Sequence, residues 1–403
     1  MEERMRDQYR RALVLSSGVI SLILTLGIAR FGYTPLLPVM QNQTWLGDVS
    51  GGWLATFNYI GYLCGALVAS VVSNLVIKDY LYRLGLIVAV VTTIGMAFTE
   101  NMFIWALLRF FAGLSSAAGL LIGSGLLLNW LIRHHHHSEL GIHFSGLGLG
   151  IAFVSVAVWI MNMSMDWREQ WISLGIIGIL LLIPAWRWLP RPDTSGATQS
   201  GKKLIDNPPT RRFMILMMIA YMCVGFGYVI SATFIVAIVE KQPALQGQGE
   251  FIFLVIGLSA APACIIWDLI ARRTGVITAL LYAFILKTIG IILPAFSENL
   301  FIVLLSAILY GGTFIGIVSL VLTMAGRFYP TKPAILMGKF TLGYGLAQII
   351  GPAIAGYIAD ITGSYNGALY LAAGFMAVGT VVIVILRQEE KAMPQQLGAS
   401  TAL

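Results

Sequence analysis

Four cations, Arg30, Arg109, Lys287 and Lys339, stand inside long apolar runs, while the 18 Asp and Glu residues fall in gaps, in tails or at the ends of runs. The chemistry open to such a cation is capture of an anionic group, since leaving it against lipid costs at least about 2.5–3.5 kcal/mol. Arg30 lies about 17 residues into the first run and Arg109 about seven into the fourth, at about 1.5 Å per residue. Those runs cross in opposite directions, so both guanidiniums are expected at similar depth. Three readings stay open for them: binding an anionic group of a solute, bonding backbone carbonyls and Tyr or Asn oxygens, or, for Arg109, tuning of packing. Tyr33, Asn58 and Tyr62 could add polar contacts in the first half of the chain. Tyr228, Thr233, Tyr310, Tyr344 and Gln348 could do so in the second. Lys339, near the end of its run, can snorkel to the interface or serve a gate. Lys287, in mid-run, is given no role.

Other chemistry is poorly represented. No nucleophile–base pair or metal-ligand pattern lies within a run, so no enzyme, cofactor or metal site is expected. His134 to His137, with His143 nearby, could bind metal or titrate near pH 6.5, a value ordinary for His; a solvated basic loop is the expectation. Gly196 to Lys203 approaches a phosphate-binding loop but ends in Lys rather than Ser or Thr, and no strand precedes it. Cys64, Cys223 and Cys264 lie within runs and show no disulfide or metal spacing.

The elements that must position these residues are membrane spans. The chain is 58% hydrophobic and 11% charged, with mean hydropathy +0.84; soluble domains are about 25% charged. Twelve runs, near 13–33, 51–74, 84–99, 102–131, 141–163, 170–188, 212–239, 251–270, 275–297, 299–325, 334–359 and 366–386, can each cross a core of about 30 Å. They are continuous rather than alternating, which excludes a β-barrel. Nineteen of the 25 Lys and Arg fall in alternate gaps, and only Arg168 and Lys241 in the others. Basic loops stay on the cytoplasmic side during insertion, so both termini are expected inside. The net charge of +7 then reflects loops facing anionic lipid, and implies no nucleic-acid partner. The first run continues to Pro35 without a cleavage site, so no signal peptide is expected.

A polar segment, 189–211, separates two sets of six runs, 1–188 and 212–387, with a tail at 388–403. Phe31-Gly32-Tyr33 recurs as Phe226-Gly227-Tyr228 at an offset of 195; His143-Phe144-Ser145 recurs as Lys339-Phe340-Thr341 at 196; Asp79 and Arg83 recur as Asp268 and Arg272 at 189. Three ordered echoes at nearly constant offset indicate an internal duplication.

These features resemble the major facilitator superfamily (MFS), whose loop between spans 2 and 3 carries Gly-x-x-x-Asp-Arg-x-Gly-Arg-Arg, weakly repeated between spans 8 and 9. The Asp and the basic residue four positions on stand here as Asp79/Arg83 and Asp268/Arg272, while Leu75 and Cys264 replace the leading Gly. Arg109 through Gly113 is similar to the superfamily's Arg-x-x-x-Gly pattern, and Gly351-Pro352 to its Gly-Pro motif. Segments 26–40, 51–67, 144–152, 228–237 and 339–352 resemble, more narrowly, the YbfB/YjiJ-type bacterial family.

The resemblance implies an all-α membrane protein of 12 spans in two pseudo-symmetric six-helix bundles. It implies a cytoplasmic gate at Asp79, Arg83, Asp268 and Arg272, and helix packing at Gly113, Gly351 and Pro352. The function implied is secondary transport of a small organic solute across the bacterial inner membrane by alternating access, with export preferred over proton-coupled uptake of an organic anion. Its partners would be that solute and membrane lipid, and the working unit a monomer. A polytopic receptor or intramembrane enzyme is the alternative of another class.

Overall fold

The structure, a computed structural model, describes residues 2–134, 140–192, 207–328 and 333–392, and every regular element among them is helical. Among the described residues, eleven helices are long and apolar enough to cross a membrane. In chain order they are spans 1 (Asp7–Gln43), 2 (Asp48–Val71), 3 (Leu75–Phe98), 4 (Met102–Leu131), 5 (Leu140–Met161), 6 (Trp167–Arg187), 7 (Arg211–Glu240), 9 (Val276–Phe296), 10 (Leu300–Ala325), 11 (Lys339–Thr362) and 12 (Asn366–Glu389). Span 8 is a bent pair, Gly249–Ala260 and Ala263–Thr274, at 44°. The bend falls at Pro262, which has no N–H to continue the helical ladder.

Local chemistry sets the span ends. The Asn74 and Asn101 side chains accept amides of the first turns of spans 3 and 4. Asp166 and Glu169 form a capping box at span 6, satisfying two otherwise unpaired donors. Gly275, at φ +86°, turns span 8 directly into span 9.

Two boundaries differ from the sequence expectation. Span 1 runs ten residues beyond 33, to Gln43. The helix continues past Pro35, whose missing N–H leaves a carbonyl of the preceding turn to be satisfied elsewhere. Span 3 begins at Leu75 rather than 84, so Asp79 and Arg83 are buried helical residues.

The halves are sewn internally and to each other by close backbone approach. A Cβ on Gly113 would fall inside the Asn58 carbonyl, and one on Gly61 inside that of Phe110, so spans 2 and 4 meet nearly backbone to backbone. Span 2 meets span 11 across the two halves, where Gly52 and Gly356 lie against Pro352 and Asp48 backbone. Spans 5 and 8 make the second seam at Gly148 and Gly257. Gly351 instead faces Val229, within the second half. Small residues are what let helices approach this closely in lipid.

Gly113→Leu should therefore destabilise the first half by about 1–3 kcal/mol, read as a lower unfolding midpoint in detergent. An unchanged midpoint would show that spans 2 and 4 are less tightly apposed than described.

Candidate functional site at the junction of the halves

Spans 1 and 4 both depart from α-helix where they face each other. Ile23–Phe31 and Ala118–Ile122 are π-helical, a form frequent at functional sites. The two stretches touch, with Gly119 against the Thr25 side chain and Ser116 Oγ donating to the Thr25 carbonyl at 2.9 Å. A π register followed by Pro35, which has no N–H, leaves carbonyls in this part of span 1 short of donors. Arg109 supplies them. Its Nη1 donates to Ala29 O at 3.0 Å and its Nη2 to Arg30 O at 3.3 Å, with the guanidinium 4.4 Å from the Tyr33 ring centre. Asn58 Nδ2 donates to Arg109 O at 2.9 Å. Arg109 thus bonds backbone carbonyls.

Arg30 is held differently. Its guanidinium lies 4.7 Å from the Tyr59 ring centre, 4.6 Å from Tyr62 and 5.4 Å from Phe31, and its buried Nε has no hydrogen-bond partner. Ring faces stabilise a desolvated cation by about 0.5–2 kcal/mol each but accept none of its N–H groups in the plane. Arg30, Tyr59, Asn58, Arg109, Thr34 and Thr233 line a void of about 10 Å³, room for about one water. Tyr59 Oη and Thr233 Oγ1, 3.4 Å apart, bring the two halves together there.

The second half contributes an aromatic stack. Tyr344 lies between Tyr221 and Tyr228, at 4.6 and 6.0 Å, and Tyr310 Oη donates to Tyr228 O at 2.6 Å. Gln348 is buried, with Oε1 unpartnered. Lys287 is wholly buried on span 9, its Nζ 5.3 Å from the Tyr228 and Tyr310 ring centres and 5.9 Å from Phe314.

Of the residues singled out from sequence, Arg30, Tyr33, Asn58, Arg109 and Thr233 line the void, and Tyr62 faces Arg30. Tyr228, Tyr310, Tyr344 and Gln348 lie in the second half beyond it. Tyr59 was not singled out, although it stands three residues from Tyr62 on the same helical face. Thr34, which donates to Ala232 O across the halves at 2.8 Å, was also missed.

At the membrane face holding the short gaps 44–47, 241–248 and 363–365, here the far face, further bonds join the halves. Asp48 accepts Gln41 Nε2 at 2.8 Å and Tyr365 Oη at 2.9 Å, and pairs with Lys241. Burial, helped by the neighbouring Asp48 carboxylate, holds the Tyr365 phenol well above its ordinary pKa, so it remains a donor. Asn162 Nδ2 donates to Glu250 at 2.7 Å. Gln41, Asp48, Asn162, Lys241 and Glu250 border a vestibule of about 690 Å³. Lys241 was visible in the sequence as an exception to the charge asymmetry. So was Arg168, which pairs with Glu100 at 2.5 Å.

The opposite, basic face holds the Asp–Arg motifs. Buried Asp79 takes Arg83 Nε at 3.0 Å on both oxygens and Arg191 Nη1 at 2.6 Å. Arg83 also donates to Trp186 O and Leu189 O, so these described bonds tie span 3 to span 6 within one half. Asp268 and Arg272 pair at 2.7 Å on an exposed surface, where such pairs contribute about 0–1 kcal/mol. Lys339 is exposed. His134 stacks on Trp130; His135 to His137 lie outside the described residues, as does most of 189–211. His143 is buried, 2.8 Å from Ser124 Oγ.

Twelve spans in two related halves, meeting at a buried polar void, define a membrane protein of the MFS fold. A family described as "Uncharacterised MFS-type transporter YbfB" matches residues 22–384, and the chain belongs to it. YceJ of Bacillus subtilis, an MFS-type transporter, is 24% identical over 389 residues, covering 94% of this chain and 90% of that one. A probable sugar efflux transporter of Helicobacter pylori is 23% identical over 301 residues, 72% of this chain and 71% of its own. Transporter mfc1 of Schizosaccharomyces pombe (33% over 130 residues, 32% of this chain) and a putative tartrate transporter of Agrobacterium vitis (30% over 144 residues, 34% of this chain) match over only 26% and 33% of their own lengths. The crystal structure of the nucleoside transporter NupG shares the fold with TM-score 0.72 at 14% identity, covering 93% of this chain and 98% of that one.

The geometry gives the two arginines distinct expected phenotypes. Arg109→Met frees two buried carbonyls, at about 1–3 kcal/mol each, so it should lower the unfolding midpoint in detergent more than Arg30→Met does. The reverse order would contradict the carbonyl-bonding role.

Proposed function

We propose that this chain is a secondary active transporter moving a small organic solute with an anionic group across the bacterial inner membrane by alternating access. The observation that carries the reading is Arg30, a buried cation at the junction of the halves with a free Nε and no counter-ion among the described residues. Intramembrane cations that line a cavity mark solute pathways. Halves 1–188 and 212–387 would rock about this point, joined by a cytoplasmic linker at 189–211, with the tail 388–403 on the same side and one chain as the working unit. The charge asymmetry supports a cytoplasmic basic face.

The far-face network of Asp48, Lys241 and Tyr365 would be the closed outer gate. Asp79, Arg83, Asp268, Arg272 and Lys339 would serve the inner one. Export is the direction proposed, supported by the relative named as a sugar efflux transporter. Proton-coupled uptake of an organic anion is the second reading, favoured by the unpaired cations and by the relative named as a tartrate transporter.

Counterflow in proteoliposomes with labelled carboxylates, sulfonates and sugars tests the reading. A charge-assisted bond is worth about 1.5–3 kcal/mol, so Arg30→Met should slow exchange of the accepted solute at least roughly tenfold while the protein stays folded. Undiminished affinity in that variant would defeat the anion assignment. Opening of the outer gate is readable separately. Thr34→Cys should react several-fold faster with an impermeant maleimide at the far face when Asp48→Ala is added; equal rates would remove Asp48 from the gate.

A further inference from the structure

Among the described residues the spans hold four buried Lys or Arg side chains, and they are not equivalent: Arg83 is paired with Asp79. Arg109 spends both terminal nitrogens on carbonyls. Arg30 and Lys287 do not. Each sits among three aromatic rings, Phe31, Tyr59 and Tyr62 around Arg30, and Tyr228, Tyr310 and Phe314 around Lys287. Each has a buried nitrogen with no acceptor. One belongs to the first half and the other to the second.

Tyr228 links them in the fold, since its ring faces Lys287 and Ala232, one turn on along span 7, lines the void with Arg30. Lys287 stands on span 9 against the rings of Tyr228 and Tyr310. In a poorly solvated interior the charged form of the Lys287 ammonium acts on an incoming ion across such a layer.

We propose that Lys287 is the second positive pole of the solute site, acting through the Tyr228–Tyr310 layer, so that the carrier selects solutes bearing two anionic groups over those bearing one. This deepens the organic-anion reading and rests on it. Lys287 is a positioning residue in this scheme: Arg30 engages one anionic group in the first half, and the field of Lys287 draws the other toward the second. A solute spanning both poles would hold the halves together while it is enclosed, whichever direction it travels.

The test is counterflow with matched probes of equal chain length, succinate against butyrate and adipate against hexanoate. Wild type should favour the dicarboxylate of each pair. Lys287→Met should reduce that preference roughly tenfold, slowing dicarboxylate exchange more than monocarboxylate exchange, and Lys287→Arg should keep it. A dicarboxylate-to-monocarboxylate ratio near one in wild type would overturn the proposal. So would a ratio unchanged by Lys287→Met, or equal losses for both probes, which is what a packing role produces. Exchange of neutral solutes alone would instead overturn the organic-anion reading beneath it.

Discussion

Positive charge held in an apolar interior without a carboxylate to balance it is the constraint on which this structure turns. An ordinary ion pair would neutralise each arginine and leave nothing to bind. Here the backbone and the aromatic side chains do the stabilising. The π-helical stretch of span 1 and the missing amide of Pro35 create a local excess of carbonyls, and Arg109 satisfies two of them. That pins span 4 to span 1 at the level of Arg30, whose own guanidinium is left against ring faces with its Nε unused. One arginine builds the site and the other remains available in it.

Around that point the halves meet through closely apposed helix surfaces. The seams between spans 2 and 11 and between spans 5 and 8 bring Gly, Pro and Ala backbone together, with Leu63 seated on Gly345 and Thr56 Oγ1 donating to Ile349 O at 3.0 Å. Polar bonds between the halves concentrate at the far face, on Asp48 and Glu250, and at the void, on Tyr59 and Thr34. The buried Asp79 cluster, by contrast, braces spans 3 and 6 of one half. Rigid halves with a polar lock at one end are what a rocking motion requires.

Much of this was legible in the sequence because it rests on properties that sum along the chain. Apolar run length marks the spans, and charge asymmetry marks the two faces. The offset echoes mark the halves. What escaped depends on geometry that has no sequence signature. Nothing in Ile23–Phe31 announces a π register, so the sequence left open whether Arg109 bonds carbonyls or faces a solute. Tyr59 was overlooked beside Asn58 and Tyr62, since a single aromatic in an apolar helix is ordinarily packing. Lys287 was visible as an intramembrane cation, but which way it pointed depended on the packing of span 9 against spans 7 and 10. Asp79 was placed in a loop because hydropathy alone ends a span where charges begin, whereas the helix continues once those charges are paired.

The central claim, that two six-helix halves rock about the Arg30 junction, is tested most directly by spin-label distances across each face. Labels at Trp45→Cys and Gln246→Cys report the far face, and labels at Ser73→Cys and Arg273→Cys report the basic face. Addition of an exchanged solute should redistribute both pairs in opposite senses, one lengthening as the other shortens. Single distributions unchanged by solute, or two pairs that lengthen together, would contradict the account.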